Sequence, residues 1–213
     1  MITIDQPNNS LLFEASILEQ LPIADADISL YRQLDLGQPY DEILQELIDG
    51  TALCQQEVTI YGKRHLQPRL SAWYGSKDLN YSYSGITVTP LRWNQTLLRL
   101  KSRIESLVSH SFNSVLLNYY RDQRDGMGMH SDDESDLGQQ PVIASLSLGE
   151  ERIFLLRHRH RKELNTIKLP LPSGSLLLMK GNTQSFWKHG IAKEKHPCGP
   201  RINLTFRSII INQ

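Results

Sequence analysis

"RINLTFR", residues 201–207, alternates charged or polar side chains with apolar ones. Adjacent residues of a β-strand point to opposite faces, so this segment has one polar and one apolar face. The apolar face carries Ile202, Leu204 and Phe206. The polar face carries Arg201, Asn203, Thr205 and Arg207. Taken alone, the pattern is also that of an ordinary strand with one solvent-facing side.

Two further segments carry polar residues on one face in the same way. In "NSVLLNYY" (113–120), alternation puts Asn118 and Tyr120 together, opposite Leu117 and Tyr119. If "HSD" (130–132) is extended, His130 and Asp132 also share a face. A double-stranded β-barrel explains all three segments, because the inward faces of its strands converge on one cavity. We expect that cavity to be polar and to hold a small ligand.

The rest of the chain predicts an α+β fold. Helical spacing of apolar residues predicts helices over 39–50 and 91–112, and β-branched and aliphatic runs follow from 113 onward. Turn signals at Gly149-Glu150 and at Pro172-Ser173-Gly174 predict two hairpins. We therefore expect one domain, 1–213, with a double-stranded β-helix (jelly-roll) core over 113–213 and the N-terminal helices packed outside it. Residues 1–35 have the weakest periodicity and are interpreted as an extended, partly mobile lead-in.

Composition narrows the classes of protein. Lys plus Arg and Asp plus Glu both total 23, so the net charge of zero gives no overall attraction to nucleic acid or membrane. Neither an apolar run long enough to span a membrane nor a leader pattern is present, which predicts a cytoplasmic protein that does not bind membranes. No obligate protein partner is evident. The two cysteines, Cys54 and Cys198, favour neither a disulfide framework nor a zinc site.

A candidate metal site consists of His130, Asp132 and His189. Two histidines and one carboxylate on one side of the ion form the facial triad of non-haem Fe(II) oxygenases. The His-x-Asp pair alone is also typical of an exposed loop, and His189 adds the third ligand from a distant part of the chain. Arg201 and Arg207 extend the pattern, because guanidinium groups pair with carboxylates and 2-oxoglutarate has two of these.

Four motifs together resemble the AlkB alkylation-repair dioxygenases, closest to the branch of the animal DNA-repair homologues: "LNYY" (117–120), "HSDDE" (130–134), "WKHGI" (187–191) and "RINLTFR" (201–207). The resemblance runs from about Val58 to Ser208. It implies Fe(II), 2-oxoglutarate and O₂ as cofactors, with His130, Asp132 and His189 on the iron. It also implies that 2-oxoglutarate is held by Asn118, Tyr120, Arg201, Thr205 and Arg207, with Arg201 on the distal carboxylate and Arg207 near the metal-chelating end.

The resemblance also identifies residues 58–85 as a nucleotide-recognition lid. Tyr81, Tyr83 and Ser84 would form the pocket for the damaged base, although an aromatic edge strand with a core role is an alternative interpretation. Aromatic faces can receive a base that has left the stack, and they favour the positive charge of N1-methyladenine or N3-methylcytosine. Asp133 matches a substrate contact in the same branch. The sequence Tyr61-Gly62-Lys63 replaces the family's Phe-containing finger, and Arg69 is a candidate contact beside it.

The function implied is direct reversal of N-alkylation in DNA, with RNA as the alternative polymer, releasing formaldehyde, succinate and CO₂. Basic runs at 157–163 and 193–196 fit phosphate contacts as well as they fit a solvated surface. A 2-oxoglutarate oxygenase acting on RNA, protein or a small molecule would share the iron and arginine sites without needing the lid. A third alternative, a non-enzymatic nucleic-acid-binding barrel, would not need His130 or Asp132.

Overall fold

The computed structural model describes residues 18–210 apart from 61, 78, 80, 84 and 85, and at 60, 81–83 and 86–88 it describes the backbone only. Its helices are α1 (Tyr40–Gly50), α2 (Gln95–Val108) and α3 (Thr183–Phe186), with a 3₁₀ turn at Ser135–Leu137. Its strands are β1 (Leu18–Leu21), β2 (Asp27–Tyr31), β3 (Glu57–Ile60), β4 (Lys63–Leu66), β5 (Leu70–Gly75), β6 (Tyr81–Tyr83), β7 (Ile86–Val88), β8 (Leu91–Arg92), β9 (Ser114–Tyr120), β10 (Met127–His130), β11 (Ile143–Gly149), β12 (Arg152–His158), β13 (Ile167–Leu171), β14 (Leu176–Lys180), β15 (Trp187–Ile191) and β16 (Arg201–Arg207).

Both predicted helices are confirmed, and capping sets the bounds of the longer one. α2 begins after Asn94, whose side-chain oxygen accepts a hydrogen bond from the Leu97 N–H at 2.8 Å. It ends at Ser109, which takes the left-handed conformation with φ 52°. These caps make the helix shorter at both ends than the predicted 91–112.

Two sheets enclose the space between them, as the jelly-roll prediction requires. The large sheet has the order β1-β2-β14-β11-β16-β9-β5-β8, and the small sheet has the order β10-β15-β12-β13. All pairs in these two sheets are antiparallel except β5 with β8. The α+β class and the jelly roll are therefore confirmed.

The two predicted hairpins are wrong, although chain reversals do occur at both turns. β11 pairs with β14 in the large sheet, while β12 pairs with β13 in the small one. Each turn therefore carries the chain from one sheet to the other rather than to a neighbouring strand. Gly149 makes the first crossing with φ 93°, and a Cβ there would meet the Pro200 carbonyl oxygen at 2.3 Å.

The large sheet separates two hydrophobic layers. On its outer face, the apolar residues of the central strands, such as Leu146, Leu204 and Phe206, pack with Ile43 and Leu47 of α1 and with Leu97, Leu100 and Ile104 of α2. On its inner face, Ile28 and Leu30 pack with Phe154 and Leu156 of the small sheet. The polar residues of β16 and β9 lie on this inner face, between the sheets.

Two sequence boundaries need correction. Residues 18–31 are not a lead-in outside the core: β2 pairs with β14, and Leu30 is fully buried. Residues 1–17 lie outside the described residues. The predicted lid, 58–85, includes β5, which pairs with β9 in the large sheet and buries Ala72 and Tyr74. The two hairpins β3–β4 and β6–β7, which flank β5, form separate two-stranded sheets.

None of the helices described in residues 18–210 has the length and apolarity needed to cross a membrane.

Candidate active site

The two histidines of the predicted triad face each other across neighbouring strands. His130 ends β10 and is the register partner of His189 in the middle of β15. Directly opposed residues of an antiparallel pair project to the same face, so both rings point into the space between the sheets. Their ring centroids lie 4.3 Å apart.

Asp132 lies two residues beyond β10 and completes the group. Its carboxylate is buried, with Oδ1 3.7 Å from His130 Nε2 and Oδ2 3.9 Å from His189 Nε2. Two contacts fix its position: its backbone N–H donates to Gln184 Oε1 at 3.0 Å, and Oδ1 accepts from Arg207 Nη2 at 2.7 Å. Oδ2 is buried and has no hydrogen-bond partner, so this oxygen is available to contact a ligand.

The protonation states suit metal binding. His130 Nδ1 lies 3.0 Å from the Gly128 carbonyl oxygen, which can only accept, so Nδ1 donates this hydrogen bond and Nε2 is the ring nitrogen left to face the group. Burial lowers the pKa of His189 to about 3, which keeps that imidazole neutral. Burial alone would raise the pKa of Asp132, but Arg207 and the two histidines outweigh it and hold the pKa below its ordinary value. A metal binds neutral imidazoles and ionised carboxylates, and the lowered pKa values of His189 and Asp132 favour these forms.

Arg201 places a buried guanidinium group at the other end of the cavity. It is 1% exposed, its Nη2 donates to Ser147 Oγ at 2.9 Å, and its guanidinium lies over the Tyr120 ring at 5.2 Å. Nε and Nη1 have no hydrogen-bond partner. Among the described residues, no carboxylate forms an ion pair with Arg201. A guanidinium with unused donors can form paired hydrogen bonds with a carboxylate.

A polar network lies between the two ends. Asn203 donates through Nδ2 to Ser145 Oγ at 2.7 Å, and its Oδ1 accepts from Thr205 Oγ1 at 2.9 Å. On the next strand, Asn118 Oδ1 accepts from Arg69 Nε at 2.6 Å. These residues line up because β9 and β16 pair with Asn118 directly opposite Asn203.

One cavity collects every residue that the sequence assigned to the metal and to 2-oxoglutarate. Sequence reasoning missed Ser147 and Gln184, the partners of Arg201 and Asp132. It also left several lining residues unassigned: Met127, Ser145, Phe154, Met179, Gly190, Ile191 and Asn203. The two serines alternate in "IASLSLG" (143–149) and could have been found by the same argument that found Asn118 and Tyr120. Gln184 lies in a short helix and carries no such signal.

The predicted substrate contacts lie outside this cavity or outside the described residues. Asp133 pairs with Arg159 at 2.6 Å, and Arg69 contacts Asn118 as described above. Gly62, with φ 75°, and the exposed Lys63 lie at the tip of the β3–β4 hairpin. Tyr61 and Ser84 lie outside the described residues. Tyr81 and Tyr83 lie on β6, and only their backbone is described.

His130, Asp132 and His189 are a group that could hold a metal ion, since one ligand atom from each lies within 4.8 Å of the others. A jelly roll that places two histidines and one carboxylate beside an open cavity has the ligand set of non-haem Fe(II) oxygenases. The chain belongs to the 2OG-Fe(II) oxygenase superfamily, whose sequence model matches residues 37–207. Members of this superfamily use Fe(II), 2-oxoglutarate and O₂.

The resemblance to the AlkB family is confirmed by curated relatives. The alpha-ketoglutarate-dependent dioxygenase alkB homolog 3 of Mus musculus is 50% identical over 177 residues, which cover 79% of this chain and 61% of the mouse protein. The DNA oxidative demethylase ALKBH2 of Homo sapiens is 37% identical over 182 residues, or 81% of this chain and 70% of the human protein. The chain thus spans about three fifths of the mouse relative.

A solved structure supports the fold independently. The structure of OsALKBH1 has a TM-score of 0.58 to this chain at 16% sequence identity, covering 90% of this chain and 100% of the other. At that identity the likeness concerns the jelly-roll fold alone.

Proposed function

We propose that this chain is a single dioxygenase domain that removes N-methyl groups from alkylated bases in DNA, with N1-methyladenine and N3-methylcytosine as substrates. The observation that carries the oxygenase chemistry is the pairing, in one cavity, of the His130–Asp132–His189 group with a buried Arg201 that has unused donors. The names of the relatives, which include a DNA oxidative demethylase, support DNA as the substrate.

His130, Asp132 and His189 would hold the iron. The residues fit it, because Asp132 Oδ2 is buried without a partner and His130 makes its backbone hydrogen bond through Nδ1, which leaves Nε2 to face the metal. When bound, the metal would supply the oxidation of the N-methyl carbon by O₂ and 2-oxoglutarate, and the products would be formaldehyde, succinate and CO₂. Arg207 would hold the Asp132 carboxylate in its ionised form and in one orientation.

The polar floor of the cavity would orient 2-oxoglutarate. Arg201 would pair with the distal carboxylate, because its Nε and Nη1 are the unpaired donors farthest along β16 from the metal group. Arg207 would meet the metal-chelating end, since it already contacts Asp132. Asn118, Tyr120 and Thr205 would line the length of the cosubstrate between these two arginines.

Substrate recognition would come from the hairpins and from Asp133. The β3–β4 hairpin, which has Gly62 and Lys63 at its tip, would act together with Tyr61 as the finger that fills the gap left by a flipped base. Tyr81, Tyr83 and Ser84 would form the pocket for that base, Asp133 would face its positive charge, and Arg69 stays a predicted contact. The basic runs at 157–163 and 193–196 would bind phosphates, and a cytoplasmic location stays a prediction from the sequence.

The test is direct. The protein, loaded anaerobically with Fe(II), is given 2-oxoglutarate, O₂ and matched single- and double-stranded DNA oligomers that carry N1-methyladenine or N3-methylcytosine. We expect the methyl group to be replaced by hydrogen, a mass loss of one CH₂, with one formaldehyde released, dependent on 2-oxoglutarate and abolished by His130→Ala. Asp132→Ala should abolish it equally, whereas a non-enzymatic binding barrel predicts no demethylation by the wild type and unchanged DNA binding in both variants.

The main alternative is an oxygenase of the same class that acts on RNA, on protein or on a small molecule. Succinate formation without any loss of the DNA methyl group would keep the iron and 2-oxoglutarate assignment and reject the DNA lesion. The same lesions in RNA oligomers would then be the next substrates to test.

A further inference from the structure

We propose that Arg159 sets the preference between positively charged and neutral lesions, by occupying the carboxylate of Asp133 until a cationic base displaces it. The inference rests on the proposed function, in which Asp133 faces the damaged base. In addition, Arg159 of the same chain competes with the base for the Asp133 carboxylate.

Both partners of this ion pair, Asp133 and Arg159, lie beside the His130–Asp132–His189 group. Asp133 follows Asp132, whose backbone N–H is fixed by Gln184 Oε1. Arg159 Nη1 donates to Asp133 Oδ2 at 2.6 Å and to the Gln184 carbonyl oxygen at 3.2 Å, and the Arg159 N–H donates to the Phe186 carbonyl oxygen at 2.7 Å. The helix α3 therefore anchors both Asp132 and Arg159, so Asp133 and its partner are held in register with the metal ligands.

The ion pair is also exposed enough to exchange. The side chains of Arg159 and Asp133 are 30% and 49% exposed, whereas those of Arg207 and Asp132 are 15% and 4% exposed. Exposed pairs are screened by water and salt and contribute little net stability, while buried pairs are strongly coupled. The two adjacent aspartates thus have different roles: Asp132 is locked to Arg207, and Asp133 is held by a partner that an incoming cation can replace.

The exchange depends on the charge of the base. N1-methyladenine and N3-methylcytosine are positively charged, so either base can take the place of the guanidinium beside Asp133 without leaving an unpaired carboxylate. A neutral methylated base cannot, so it binds while Arg159 stays on Asp133. Arg159 would therefore weaken the binding of cationic lesions selectively.

The experiment compares two lesions with the methyl group at the same ring position, cationic N3-methylcytosine and neutral N3-methylthymine, in one single-stranded DNA oligomer. The readout is the ratio of their kcat/KM values for demethylation by the full chain with Fe(II), 2-oxoglutarate and O₂. In Arg159→Gln we expect this ratio to rise about two- to five-fold, because Asp133 no longer has to be released. In Arg159→Lys, which keeps the charge, the ratio should return toward the wild-type value.

A double-mutant cycle and a neighbouring arginine make the test specific. Asp133→Asn should lower the ratio, and adding Arg159→Gln to that variant should leave it unchanged, because the two residues act as a pair. Arg157→Gln removes the same charge from the same basic run, and Arg157 forms no ion pair with Asp133 in the part of the chain described. It should change the rates for both lesions by the same factor. Thermal melting identifies any variant that has lost its fold.

Each outcome has one meaning. If wild type demethylates neither lesion, the proposed function fails. If it demethylates them and Arg159→Gln leaves the ratio unmoved, lowers it, or raises it equally in the Asp133→Asn background, the competition between Arg159 and the base is rejected while the demethylase assignment stands.

Discussion

Arg201 destabilises the folded protein when the cavity holds no anion. Burial lowers the pKa of its guanidinium, and two of its nitrogens lack hydrogen-bond partners. A buried charge without a partner destabilises the folded state, while a bound carboxylate turns the same charge into a strong interaction. Its presence is therefore better explained by ligand binding than by stability.

The first prediction follows from this contrast. Replacing the charge in Arg201→Met should stabilise the ligand-free protein by about 1–4 kcal/mol, because a buried charge is replaced by an apolar side chain of similar length. The same variant should lose the rise in melting temperature that 2-oxoglutarate gives the wild type with Mn(II) as a redox-inert metal. Thermal melts with and without 2-oxoglutarate measure both effects.

Arg152 is the matched control for Arg201. It is equally buried and also lies over the Tyr120 ring, at 5.8 Å, but it donates to the Asp125 and Ala192 carbonyl oxygens and pairs with Glu194. Arg152→Met should therefore destabilise the protein by about 3–5 kcal/mol. Equal destabilisation by the two substitutions would contradict the ligand-binding role of Arg201.

The second prediction concerns pH and His189. Because the folded state lowers its pKa to about 3 from the ordinary 6.5, the unfolded chain binds the extra proton between these values. The free energy of unfolding of the metal-free protein should therefore fall as the pH drops below 6.5, by about 2 kcal/mol at pH 5. Denaturant melts from pH 7.5 to 4.5, with a chelator present, measure this slope.

His189→Gln isolates the effect of that histidine. The variant has no imidazole to protonate, so the difference between its stability and that of wild type should shrink toward low pH. Asp132, whose pKa is also lowered, loses its contribution only below its ordinary value of 3.8, outside this window. A wild-type slope that persists unchanged in His189→Gln would assign the pH dependence to other groups.

At the scale of secondary-structure elements, the close approach of β10 and β15 determines how His130 and His189 lie relative to each other. A Cβ on Gly190 would lie 2.8 Å from the Met127 carbonyl oxygen and 3.0 Å from that of Gly128. Both contacts are backbone atoms of β10, which cannot move aside cheaply. Gly190 thus permits the register in which His130 lies opposite His189.

The third prediction tests this register. Gly190→Ala should separate the two strands, destabilise the fold by about 1–3 kcal/mol and weaken metal binding, since overpacked backbones shift by tenths of an ångström or more. Gly128→Ala on the facing strand is the control, because a Cβ there meets no atom within 4 Å. Metal titration by calorimetry should give near wild-type affinity for the control. Similar affinities for both variants would show that strand spacing does not set the triad.

The sequence predicts which face of a strand points inward, but it does not predict which strands pair. Period-two alternation in β9 and β16 correctly identified the inward faces that carry Asn118, Tyr120 and Arg201, because face selection is a local property. The hairpin predictions failed because turn residues at Gly149 and Gly174 indicate that the chain reverses, but not which sheet the next strand joins. That choice depends on pairing with distant strands.

At the scale of the whole molecule, the cavity is lined by strands of both the large and the small sheet. β1 and β2 extend the large sheet beyond β14, and their residues reach the hydrophobic layer that lies between the sheets. Sequence periodicity does not predict that β1 and β2 belong to the large sheet, because strands of four and five residues give too little alternation to recognise. Their role depends on packing against residues more than a hundred positions away.

The last prediction tests whether β2 is part of the structural core. Leu30 is fully buried opposite Leu177 of β14, in the same hydrophobic layer as Phe154 and Ile191, which line the cavity. Leu30→Ala should destabilise the protein by about 2–5 kcal/mol, by loss of buried surface and by the space left behind. Leu18→Ala on neighbouring β1, where the side chain is 45% exposed, should change stability by well under half of that amount. Denaturant unfolding followed by tryptophan fluorescence measures both. A lead-in outside the core would instead make the two substitutions equally mild, and the cavity would then have to be closed without β2.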